Sequence, residues 1–115
     1  MRRGEIRLVD FEPASGSEAN KRRPAVLVSN DANNRVAERL GRGVVTVLPI
    51  TSRIARVYPF QVLLPAERSE LRKPSKIQSE QIRAVDVQRV GRRVGRVPDD
   101  LMEAVEDAIR IHLDL

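Results

Sequence analysis

Apolar residues in this chain gather in short runs divided by polar segments, and the runs differ in period. "GEIRLVDF" (4–11) alternates loosely and predicts a first strand. "PAVLVSN" (24–30) and "VVTVLPIT" (44–51) are nearly continuous and β-branched, as buried strands are, and Pro49 lies near the end of the second. Between them "DANNRVAERLGRG" predicts one short helix, with Asp31 as its cap and glycine at its end. "FQVLLP" (60–65) reads as a half-exposed strand closed by Pro65. "KIQSEQIRAVD" (76–86) has period-two features, and "GRRVGRV" (91–97) reads as a short edge strand. The strongest helix is "PDDLMEAVEDAIRIHLDL". Asp99 or Asp100 is its expected cap, and Leu101, Val105, Ala108, Ile109 and His112 share one face.

The joining segments are polar. "EPASGSEANK" (12–21) carries turn formers and no apolar anchor, which predicts a long mobile loop. "SRIARVYP" is a basic loop, and "AERSELRKPS" a polar connector. Many short strands and one terminal helix predict a mainly β (α+β) fold, a small antiparallel barrel or curled sheet. At 115 residues the chain has the size of a single domain, 1–115.

Composition narrows the chemistry. With no cysteine, disulfide frameworks, thiolate metal sites and cysteine nucleophiles are excluded. No apolar run approaches the roughly 20 residues of a membrane helix. "MRRGEIRLVD" has charges where a signal peptide needs apolar residues, so a soluble, cytoplasmic protein is expected. The net charge of +5 hides a division. Residues 99–114 hold six acids and one arginine, leaving 20 bases against 10 acids elsewhere. Eighteen of the 21 bases are arginine, whose planar fork suits phosphate, so a polyanionic partner is implied. The acids of the last helix read as a solvated face.

Candidate chemistry centres on strand ends. Arg23 precedes Pro24, so its backbone is extended where the loop becomes strand. Thr51 and Ser52 end a buried strand, where rigid backbone meets solvent. Each also has a plain reading, as surface arginine and ordinary turn chemistry. His112 is the only histidine, which excludes a two-histidine ribonuclease mechanism, and its place on the apolar stripe reads as structural. The acids show no calcium-loop spacing, and no glycine-rich phosphate loop is found, so neither metal nor cofactor is expected. Three aromatic residues, Phe11, Tyr58 and Phe60, are too few for an extended base-stacking platform.

Taken in order, "RRGEIRLVDFEPASGSE", "RRPAVLVSND", "VLPITS", "YPFQVLLP" and "SEQIRAVD" resemble the MazF/PemK toxins of type II toxin–antitoxin modules, most of all the mycobacterial and actinobacterial type. The resemblance runs over nearly the whole chain. It implies a homodimer of SH3-like barrels of the MazF/CcdB type. It further implies a metal-independent endoribonuclease that cuts single-stranded RNA to 2′,3′-cyclic phosphate and 5′-hydroxyl ends. A MazE-like antitoxin, through an acidic disordered segment, would block the same groove. Carried over, the catalytic residues are Arg23 and Thr51, with Glu18, Ser52, Arg53, Ser75, Glu80 and Gln81 along the RNA groove. Arg7 stands where most relatives have an aromatic residue, and its guanidinium is expected to reach the groove mouth, touching RNA or its rim, or a neighbouring carboxylate.

Two other classes share such a fold. A non-catalytic nucleic-acid-binding barrel would need the basic face but not Thr51. A CcdB-like gyrase poison depends on a C-terminal tryptophan motif, whereas this chain ends "HLDL" and contains no tryptophan. Cleavage of RNA in EDTA separates all three. In that chemistry Arg23 suits charge stabilisation, because a side chain with a pKa of about 12 or higher is a poor general base.

Overall fold

The computed structural model describes residues 1–11 and 22–115, so the expected 12–21 loop and Glu18 lie outside the described residues. Seven strands are found there: β1 Glu5–Asp10, β2 Arg22–Leu27, β3 Val44–Thr51, β4 Gln61–Leu64, β5 Ser75–Gln78, β6 Arg83–Asp86 and β7 Val90–Arg96. The α-helices are α1 Asp31–Leu40, α2 Ala66–Ser69 and α3 Asp99–Leu113. All strand pairings are antiparallel, in the order β4-β5-β3-β2-β1-β7, with β6 also on β3. The antiparallel, mainly β architecture with a terminal helix is as expected, but the ladder does not close into a barrel: β4 and β7 are its ends. Beside β7 the backbone of α2 approaches so closely that a β-carbon at Gly95 would collide with the Ser69 carbonyl. The connector read as merely polar thus holds a helix with a buried serine.

The continuous apolar runs have a simple cause: alternate residues of β2 and β3 are buried on opposite faces. Val26, Leu48 and Ile50 join Ile6, Val62, Leu64, Ile77 and α3 residues Met102, Val105 and Ala108 in one cluster. Ala25, Leu27, Val45 and Val47 join Val9, Ala37, Val85 and Val87 in the other. β4 is more buried than its alternation suggested. Gln61, Val62 and Leu64 are all buried, and only Leu63 is exposed.

The 76–86 segment divides. Three steps along β3, from Val47 to Ile50, are matched by six on the facing chain, from Arg83 to Ile77. The 3-10 turn Ser79–Gln81 takes up the surplus. Pro49, which has no N–H for a ladder bond, falls opposite this interruption.

Both helix caps differ from expectation. Asn30, not Asp31, caps α1 by accepting the Asn33 N–H at 2.8 Å, because Asp31 is already helical and accepts the Arg3 N–H instead. Gly41, at φ 65°, closes that helix in the left-handed region. At α3 the preceding residue is Pro98, without a capping side chain, and Asp99 and Asp100 lie in the first turn. Their carboxylates bond Arg96 and Arg68 at 3.3 and 2.7 Å. Glu106 and Asp107 likewise pair with Arg3 and Arg110, so the acidic face is arginine-paired rather than merely solvated. His112 sits on the exposed last turn, its ring 6.3 Å from that of Phe60.

Candidate functional site

Arg23 and Thr51 meet through strand register. β2 and β3 pair Ala25 with Pro49, and continuing that antiparallel register by two residues sets Arg23 opposite Thr51. On the other side of β3, Thr51 pairs with Lys76 of β5. Directly opposed residues share a sheet face, so Arg23, Thr51 and Lys76 form one row across three strands. At its Arg23–Thr51 end lies a groove of about 490 Å³, lined by Arg23, Pro24, Ile50, Thr51, Ser52, Arg53, Ser75 and Gln78. Among the described residues two guanidinium groups line it, and no carboxylate does.

The two hydroxyls of the groove differ in what they offer an anion. Thr51 Oγ1 accepts the Arg53 N–H at 3.2 Å, which leaves its hydroxyl proton free to donate into the groove. Ser75 donates to the Lys73 carbonyl at 3.0 Å, so its oxygen remains an acceptor. Arg23 is exposed and forms no ion pair among the described residues, unlike the arginines gathered by α3. Among the described residues there is no group of three or more His, Cys, Asp or Glu able to hold a metal ion.

Of the residues singled out in the sequence, the structure thus brings together Arg23, Thr51, Ser52, Arg53 and Ser75. Gln78 joins them and was missed, since one glutamine in a strand carries no signal of its own. Glu80 and Gln81 belong to the 3-10 turn and do not line the groove. Glu80 accepts from the buried Gln61 amide at 2.7 Å, while its other oxygen is buried without a partner among the described residues. Gln81 is exposed.

Arg7 also lies off the groove. Its guanidinium bonds Glu5 Oε1 at 3.1 and 2.9 Å and donates to the Gly91 carbonyl of β7 at 3.1 Å. Burial pushes the Glu5 carboxyl up, but the Arg7 hydrogen bond and charge, with the Arg2 backbone bond, outweigh it and hold the group below its ordinary value. An acid with a lowered folded pKa contributes stability above its unfolded pKa and loses it as pH falls through the folded one. Arg7→Met is therefore expected to cost about 2 kcal/mol near neutral pH. The deficit should shrink on acidification through the carboxylate range, as thermal melts at several pH values would record. A deficit independent of pH would assign the loss to packing alone.

An open antiparallel sheet with one helix over each face carries an arginine-lined groove at a strand end, the architecture of a small, mainly β protein with a groove suited to an anion. Residues 2–113 match the family described as PemK-like, MazF-like toxin of type II toxin-antitoxin system, and the chain belongs to that family. It is 56% identical to Endoribonuclease MazF9 of Mycobacterium tuberculosis (strain ATCC 25618 / H37Rv), over 100% of this chain and 98% of that protein. MazF from Deinococcus radiodurans aligns over 100% of this chain and 97% of its own, with a TM-score of 0.75 and 28% identity. A MazE-MazF structure from the same organism gives a TM-score of 0.78 at 28% identity, over 100% of this chain and 96% of that one.

Among the described residues no helix is long and apolar enough to cross a membrane.

Proposed function

We propose that this toxin is a metal-independent, sequence-specific endoribonuclease acting on single-stranded RNA in the cytoplasm. The observation that carries the reading is the convergence of Arg23, Arg53 and the Thr51 hydroxyl on one groove that, among the described residues, no carboxylate lines. In the reaction the 2′-hydroxyl loses its proton and its oxygen bonds to the adjacent phosphorus. The bond from phosphorus to the 5′-oxygen breaks, and that oxygen gains a proton. The products are a 2′,3′-cyclic phosphate and a 5′-hydroxyl. Charge accumulates on the non-bridging oxygens at the transition state, where the Arg23 fork and the Thr51 O–H donate. Ser52, Arg53, Ser75 and Gln78 line the path of the RNA.

The same groove suits an acidic, otherwise disordered antitoxin segment, because carboxylates and phosphates compete for one arginine pair. The Deinococcus MazE-MazF structure supports an antitoxin partner, and the reading extends to a homodimer. The purified protein is expected to cut single-stranded RNA in EDTA and leave cyclic-phosphate ends. Activity abolished by chelation and restored by magnesium would contradict the mechanism. RNA binding without cleavage would favour a non-catalytic binding protein.

A further inference from the structure

Lys76 is buried, yet it has no carboxylate partner among the described residues. Its ammonium donates to the Arg56 carbonyl at 2.7 Å and lies 5.9 Å from the centre of the Tyr58 ring. A cation kept from water needs a reason, since replacing buried charge by apolar volume often stabilises a protein. The reason lies in what it touches. Arg56 and Tyr58 belong to the 52–60 segment, which starts at the groove with Ser52 and Arg53. Gln61 ties the far end of that segment: its Oε1 accepts the Tyr58 N–H at 3.2 Å, and its amide donates to Glu80.

Resting on the reading of Thr51 as a donor to RNA, we propose that Lys76 is a positioning residue for this site. It draws down the middle of the 52–60 segment and so fixes the Arg53 backbone N–H. That N–H, bonded to Thr51 Oγ1, sets the direction in which the hydroxyl proton points. Lys76 faces Thr51 across the β3–β5 ladder, so the brace and the group it orients stand on one rigid piece of sheet. Gln61 is the second anchor of the same segment.

The test compares wild type with Lys76→Met and Lys76→Arg, using a single-stranded RNA oligonucleotide that the wild type cleaves. Lys76→Met is expected to lower kcat by about tenfold, with KM changed by less than about twofold, because misplacing a donor acts on the transition state. Its melting temperature should hold or rise, whereas a merely structural lysine would lose stability and activity together. Lys76→Arg, which keeps a cation able to reach the carbonyl, should recover most of kcat. Amide hydrogen exchange within 53–58 should quicken in Lys76→Met and return toward wild type in Lys76→Arg. Unchanged exchange in Lys76→Met overturns the proposal, and so does unchanged kcat. A wild type that cuts no RNA would defeat the functional reading, while exchange would still decide whether Lys76 holds the segment.

Discussion

Replacing Arg23 by alanine is expected to lower kcat for RNA cleavage by about 10³-fold, and replacing it by lysine by about 10²-fold. The ranking follows from geometry. The phosphorus passes through a state with two charged non-bridging oxygens, and a guanidinium offers two parallel N–H groups to such a pair. An ammonium restores the charge but not the fork. Arg23 is held for this by β2, where it pairs with Val9 of β1 and stands two residues from Ala25 of the core. Neither substitution removes a buried side chain, since Arg23 is exposed, so melting temperatures should stay close to wild type. Single-turnover cleavage with saturating RNA would measure the loss. Equal rates for wild type and Arg23→Lys would leave Arg23 as one phosphate contact among several.

Charge placement separates the arginines that pair with acids from those that, like Arg23, have no ion pair among the described residues. Arg3, Arg68 and Arg96 are committed to the acids of α3, and Arg7 to Glu5. The helix that looked like a separate acidic face is therefore a sink for cations from the rest of the chain. The groove arginines lie at the opposite kind of place, a strand end whose lining holds no acid among the described residues. Net charge implies the sign of a partner, and the groove lined by Arg23 and Arg53 is the proposed place of contact.

The strands and the site were legible to different depths. β2 and β3 announced themselves because burial on both faces demands unbroken apolar runs, and Arg23 and Thr51 stood out as the polar residues where those runs begin and end. The break at Ser79–Gln81 was not legible, since the surplus of residues exists only relative to β3. Lys76 and Gln61 were hidden for a related reason. A polar residue in a strand reads as surface, and the partners that draw these two inward lie on a loop with no periodicity. Arg7 was placed on the right strand, and of the two expected destinations for its guanidinium, groove mouth or neighbouring carboxylate, it takes the carboxylate of Glu5 two residues away. The choice between barrel and curled sheet was not legible either, because it depends on whether β4 and β7, distant in sequence, pair with each other.

Thr51→Ala should separate binding from chemistry. The expected loss is about 10²-fold in kcat, the usual effect of deleting one donor that acts on developing negative charge. RNA affinity should stay within about twofold, because the alanine variant keeps Arg23 and Arg53, which supply the phosphate contacts. The surroundings of the hydroxyl exclude one direction for its proton. Its oxygen accepts the Arg53 N–H, so its proton must point elsewhere, and the groove is where a new acceptor can come. Thr51→Ser keeps the hydroxyl but loses the methyl that restricts its rotamer, and should fall between the two. Thr51→Val, nearly the same shape without the donor, should match alanine. Should Thr51→Val cut RNA at the wild-type rate, the hydroxyl would be a turn-forming group only, and the charge of the transition state would rest on the two arginines.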